Sequence, residues 1–287
     1  MMKKILVLAI VFLNITSMSM PQVNTNQINE CVPQLNEIAV PSPNEESMAP
    51  LSLEDELYVI IKEEKAIETI EYVPSYDLTI IQNYITHYEN RKEAAHDMAE
   101  AARSLGYLDE HPIIQIAKSK WYEADALLNL YKRDYDFWTF SNQKYPAATT
   151  IWIYLKNLGY NDYVCAGIMG NLMAEVGGGT LDIQYWLYGG KVHYGMCQWN
   201  MDYYPEVVGK DLAYQCDFLR DNIEFEMDTF GKKYAKDFKY KDFLVLTNAE
   251  EAAVAFAKCY ERCYAGHYEV RKKNALKAYN YFVNKET

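Results

Sequence analysis

In the stretch NDYVCAGIMGNLMAEVGGG, residues 161–179, a carboxylate stands at a spacing that could do chemistry. Asn161 is placed to cap a helix, and Asp162 suits its first turn. Val164, Ile168 and Leu172 recur every four residues, and Glu175, three further on, falls on the same apolar face. Gly177, Gly178 and Gly179 then stop the helix. A carboxyl on that face, at the negative end of the helix macrodipole, is disfavoured in its charged form on both counts. It would stay protonated near neutral pH, as a general acid for glycoside cleavage must. A Glu turned outward at a frayed helix end fits the same pattern.

The next stretch, TLDIQYWLYGGKVHYGMCQWN over 180–200, alternates Ile183, Tyr185 and Leu187, then Val192, Tyr194 and Met196. Gly189-Gly190 between them suits a two-residue hairpin turn. Tyr194 and Trp199 offer rings for stacking on sugar faces, and Gln198 offers an amide for an acetamido group. Core packing explains Trp199 equally simply. The order is thus helix, carboxylate, glycine break, hairpin and an aromatic-amide run.

Other elements have to position that run. Residues from about 76 to 105 and from about 112 to 140 show helical periodicity. Gly106 ends the first, Pro112 starts the second, and Tyr107 to His111 form the turn of an antiparallel helical hairpin. Residues 21–50 carry Pro21, Pro33, Pro41, Pro43 and Pro50 among polar residues and read as a flexible linker. Residues 1–20 read as a signal peptide, with Lys3 and Lys4 before the apolar run Ile5 to Leu13. Four segments are therefore expected: 1–20, 21–50, a helical hairpin or stalk region at 51–142, and a catalytic domain at 143–287. The product would be secreted or held in the cell envelope, touching membrane only through the signal segment if that is uncleaved.

Charge and cysteines narrow the function. The net charge of −12 sits mainly in the N-terminal half. Residues 143–287 hold 17 Lys and Arg against 18 Asp and Glu, and the remainder 11 against 22. Nucleic acid is excluded as a partner, since phosphate binding needs a basic surface. Cys31, Cys165, Cys197, Cys216, Cys259 and Cys263 show no zinc-ligand spacing with the scattered histidines, so neither metal nor cofactor is expected. After export they could form disulfides, in a pairing that spacing does not fix. No Cys or His arrangement suits a peptidase nucleophile.

The order IWIYLKNLGYNDYVCAGIMGNLMAEVGG, YGMCQWN, AYQCDFL, then AVAFAKCYERCY with a following Arg271, resembles the phage-tail-lysozyme family of the lysozyme-like superfamily over about residues 145–282. The resemblance implies a mainly α, lysozyme-like α+β domain with a small β-hairpin, and peptidoglycan glycan strands as substrate. It places the family's catalytic Glu at Glu175 and its Gly-x-x-Gln-Trp element at Gly195, Gln198 and Trp199. Its aromatic-Glu element falls at Tyr260 and Glu261, which makes Tyr260 a substrate contact and Glu261 structural. Val176-Gly177 stands where relatives commonly have Ser-Gly. Cys263 stands where they often have Pro, and invites a disulfide.

Glycosidases usually employ two carboxylates, about 5 Å apart for retention and further for inversion. Asp182 and Asp202 are candidates for the second, and ordinary surface aspartates fit both positions. The expected reaction is cleavage of the MurNAc–GlcNAc β-1,4 bond, by a muramidase or by a lytic transglycosylase that needs Glu175 alone. A wall-binding protein on an inactive lysozyme-like scaffold is the alternative from another class, and chitin is an alternative substrate.

Overall fold

The computed structural model describes residues 72–286. The expected signal peptide, the linker, residues 51–71 and Cys31 lie outside the described residues. The described residues fall into two compact units divided between Tyr135 and Asp136.

The first unit is the helical hairpin. Helix α1 (Leu78–Ser104) starts at Asp77, whose carboxylate accepts the amides of Thr79 at 2.7 Å and Ile80 at 3.3 Å. Gly106, at φ +91°, supplies the left-handed turn that ends it. Helix α2 (Pro112–Lys144) begins on Pro112 and runs on past the expected end near Phe140. Nothing in Ser141 to Lys144 breaks a helix, and Pro146 disfavours helical backbone at the residue before it. Tyr84 and Tyr88 stack on Tyr131 at 4.7 and 5.6 Å between ring centres. At the closed end Met98, Ala99 and Ala102 pack with Ile113, Ile114 and Ala117. The pairing Glu89–Lys132 at 2.8 Å fits the antiparallel arrangement.

The second unit is mainly helical with a small antiparallel sheet. Its helices are the last turns of α2, then α3 (Pro146–Asn157), α4 (Asp162–Val176), α5 (Leu212–Phe230), α6 (Tyr240–Leu244), α7 (Ala249–Cys259) and α8 (Tyr268–Phe282). Helix α4 runs through the core. Asn161 caps it by accepting the amides of Tyr163 at 2.9 Å and Val164 at 3.0 Å. Val164, Ile168 and Leu172 are buried as the periodicity requires, but so is every residue from Val164 to Met173. The helix therefore has no outward face until its last turn.

Two glycines allow this enclosure. A Cβ on Gly167 would lie 2.5 Å from the Ala252 side chain and 2.7 Å from the Ala253 amide, both on α7. One on Gly170 would lie 2.6 Å from the Arg271 carbonyl and from the Ala275 amide, both on α8. Gly167 and Gly170 are thus the points at which α7 and α8 close onto α4.

The sheet differs from the expected hairpin. Strands β1 (Tyr188–Gly189), β2 (His193–Tyr194) and β3 (Trp199–Asn200) lie in that order, with Tyr188 opposite Tyr194 and Gly189 opposite His193. Gly189 is a strand residue rather than half of the turn, and Gly190, at φ +62°, opens the connection. The reason lies across the sheet. A Cβ on Gly189 would collide with the Gln198 side chain, so this glycine answers a close approach.

Candidate functional site

Glu175 is the second-last residue of α4, where the helix emerges from its neighbours. The chain then turns sharply. The amides of Gly177 and Gly179 both donate to the Met173 carbonyl, and Gly178 and Gly179 take φ of +58° and +80°. Gln184 donates its amide to the Val176 carbonyl, tying the segment that leads into the sheet to the end of the Glu175 helix.

The Glu175 side chain is 22% exposed, at the edge of the apolar face rather than within it, and it is ion-paired to Arg271 of α8. Arg271 itself is buried, at 3% exposure. Burial works against its charge, but Glu175, Cys263 and Glu261 together hold the guanidinium above its ordinary value. The close approach at Gly170 brings the Arg271 turn of α8 against α4. The carboxyl expected on the apolar side of the helix thus has a charged partner, supplied across a glycine contact.

Glu261 lies just past α7, its amide donating to the Phe256 carbonyl at 3.1 Å. Its Oε1 is out of contact with solvent and has no hydrogen-bond partner. Burial, then the charge of Glu175, push the Glu261 carboxyl well up from its ordinary range, against the pull of Arg271, the Cys197 thiol and Arg262. Glu175, Glu261 and Arg271 form one electrostatic cluster, reached from three parts of the fold.

The expected second carboxylates stand apart from this cluster in character. Asp182 and Asp202 are exposed, and their amides turn back onto the Thr180 hydroxyl at 3.3 Å and the Asn200 side chain at 2.9 Å. Both sit in local turns of the kind that favours Ser, Thr and Asn.

The expected sugar contacts mostly serve the interior. Tyr194, Trp199 and Tyr260 are 5, 6 and 6% exposed, so their rings do not present a face to solvent. Trp199 donates its indole N–H to the Tyr260 hydroxyl at 3.0 Å and packs edge-on against Phe218, while Tyr260 stacks on Phe256. Gln198, at φ +50°, donates its amide to the carbonyls of Gly195 at 2.9 Å and Leu187 at 3.1 Å, so it braces the sheet. The aromatic side chains that do reach solvent here are Trp186, Tyr188 and Tyr203, at 53, 59 and 77%. They were visible in the sequence as residues, but period-two alternation does not tell exposed from buried rings when the strands are only two residues long.

Gln215 of α5 is the other residue whose role the sequence did not announce. Fully buried, it accepts the Met196 amide at 2.8 Å and donates to the carbonyls of Tyr185 at 3.1 Å and Lys210 at 2.9 Å. A Cβ on Gly195, at φ +84°, would come within 2.7 Å of its Oε1. The five described cysteines are free thiols; Cys165, Cys197, Cys216 and Cys259 are buried, and Cys263, where a disulfide was expected, is half-buried. Burial pushes the Cys165 and Cys216 thiols up to about 12 and that of Cys259 up to about 11.

Residues 146–282 match the family model described as phage tail lysozyme, which bears out the resemblance read from the motifs. With its buried central helix and small antiparallel sheet, this segment is a lysozyme-like α+β domain. No curated protein and no solved structure matches the chain.

Proposed function

We propose that the 146–282 domain cleaves peptidoglycan at the MurNAc–GlcNAc β-1,4 bond, as a muramidase or a lytic transglycosylase, with Glu175 delivering the proton to the leaving sugar oxygen. The observation that carries this reading is the placement of Glu175, where a buried helix first meets solvent. A carboxyl there is held on a rigid element yet open on one side to a ligand. The family match supports peptidoglycan as the substrate class.

The protein's contribution to such a reaction is orientation and charge. The Gly177–Gly179 break turns the chain away so that the acid is not covered. Arg271 fixes the Glu175 carboxyl in place, and Gln198 and Gln215 hold the adjacent sheet. An exported or envelope-bound product, as residues 1–20 suggest, would meet this substrate directly.

One observation favours a second reading, that of a wall-binding protein without turnover. A carboxylate locked to a buried guanidinium also serves as a structural ion pair. Purified peptidoglycan separates the two. Release of soluble fragments by the wild type, lost in Glu175→Gln, supports hydrolysis; binding to sacculi with no fragments released overturns it in favour of binding.

A further inference from the structure

The rings expected to meet sugar, Tyr194 and Trp199, are packed inside, while Trp186 and Tyr188 of the same region are each more than half exposed. Single exposed aromatic residues are ordinary on a protein surface. What sets these two apart is the chain beneath them, which is fixed at each neighbouring residue by a different part of the fold. Gln184 donates its amide to the Val176 carbonyl at the end of α4, at 3.2 Å. The Tyr185 carbonyl accepts the side-chain amide of buried Gln215 on α5, at 3.1 Å. The Leu187 carbonyl accepts both the Gly195 amide and the Gln198 side chain at 3.1 Å, and the Leu187 amide closes a turn onto the Gln184 carbonyl at 3.0 Å.

The rings are braced as well. Tyr185 meets Trp186 edge-on, with 5.0 Å between ring centres. Tyr188 stands opposite Tyr194, and Tyr194 opposite Trp199, so the three share one face of the sheet. Tyr188 packs edge-on against Tyr194 at 4.8 Å, as the exposed end of a row that Trp199 anchors through the Tyr260 hydroxyl. The segment also starts beside the acid. Val176 follows Glu175, and Trp186 lies two residues past Gln184, at most about 8 Å of chain.

A half-wet ring on a backbone already fixed can hold a flat apolar surface at little ordering cost. The axial C–H groups of β-linked amino sugars present such a surface, and a strand seated at Glu175 has this segment as its neighbour. Resting on the glycan-cleavage reading above, we propose that Trp186 and Tyr188 form a stacking platform for the glycan strand, holding sugar units next to the bond cut at Glu175. They take the role expected of Tyr194 and Trp199, which instead support the platform from inside.

The platform is tested by titrating the full chain carrying Glu175→Gln, which leaves the probe uncut, with a soluble GlcNAc–MurNAc tetrasaccharide. The indole N–H signals are followed by nitrogen-15 NMR, and Trp186→Phe identifies the Trp186 signal. That signal should move on titration, while the Trp199 signal, held by Tyr260, should move little. Trp186→Ala should weaken binding about tenfold or more without lowering the unfolding temperature, and Tyr188→Ala should weaken it too. No binding, binding that leaves the Trp186 signal still, or binding undiminished by Trp186→Ala overturns the platform. A signal that follows protein concentration instead of the sugar overturns it in favour of contact between two copies of the chain.

The kinetic counterpart keeps Glu175 intact. Trp186→Ala should raise KM on purified peptidoglycan about tenfold while kcat changes little, and an unchanged KM contradicts the platform. A wild type that releases nothing, with the Trp186 signal still moving, fails the cleavage reading and leaves the platform standing. Released fragments with an unmoved Trp186 signal fail the platform alone.

Discussion

The two units of this chain solve the same packing problem by different means. The 72–135 hairpin is held by repetition: alanines and isoleucines along two long helices, a tyrosine stack around Tyr131, and charge pairs on its outside. The 136–286 unit packs its helices so tightly that glycines replace side chains at the contacts, and it buries Asn171, Gln215, Glu226, Arg271 and Asn274. Buried polar groups are costly unless partnered, and these have partners: Asn171 donates to the carbonyls of Gly167 and Ala253, Gln215 bonds to the segment around the sheet, Glu226 accepts from Tyr204, and Arg271 pairs with Glu175. The hairpin shows no comparable cluster among the described residues, although Asp134 is buried with a bond from the Tyr72 hydroxyl.

That contrast can be broken by substitution. Arg271→Met leaves Glu175 without its ion-pair partner and should destabilise the second unit by about 3 kcal/mol or more. Gly170→Ala forces backbone atoms of α8 away from α4 and should cost about 3 kcal/mol. Hydrogen exchange followed segment by segment is the readout, and both changes should raise exchange in 146–282 and spare 78–135. Equal loosening of both units would show that the division drawn here is wrong.

The pH dependence should differ as well. Glu261 is an acid whose folded-state proton is held more tightly than its ordinary value of 4.5 implies. Its contribution to stability is therefore complete below that value and is lost as pH rises through the folded-state value. The thermal stability of the second unit should fall as pH rises across that window in the wild type, and Glu261→Gln should flatten the slope. A slope that survives the substitution would assign it to another group.

The smallest effects belong to the hairpin. Tyr131→Phe removes a hydroxyl that accepts the Val73 amide at 3.1 Å, a loss of about 1 kcal/mol. Lys132→Ala removes a surface pair with Glu89 in which both side chains are 48% exposed, a loss below about 0.5 kcal/mol. Exchange confined to 78–135 is the expected pattern for each.

How much was legible in the sequence follows the same division. Periodicity, Gly106 and Pro112 located the hairpin to within a few residues, because its contacts are local and repeat along the chain. In the second unit the Asn161 cap, the helix and the Gly177–Gly179 stop were equally legible, because caps and stops are local chemistry. The Arg271–Glu175 pair was not, since it joins residues 96 apart through a contact at Gly170 that no short window contains. Trp199, Tyr194 and Tyr260 looked like sugar contacts because an aromatic residue reads alike in a groove and in a core. The short strands carry no pattern to separate the two. Glu261 was placed only through the motif that contains it, and its charge state depends on neighbours from three other segments.

The central claim is that Glu175 is the proton donor of a peptidoglycan hydrolase, and mass spectrometry of fragments released from purified peptidoglycan tests it most directly. The account predicts soluble muropeptides from the wild type, with reducing ends for a muramidase or anhydro ends for a lytic transglycosylase. It predicts a fall in their yield of about 100-fold or more in a folded Glu175→Gln variant. Undiminished release by that variant would contradict the assignment.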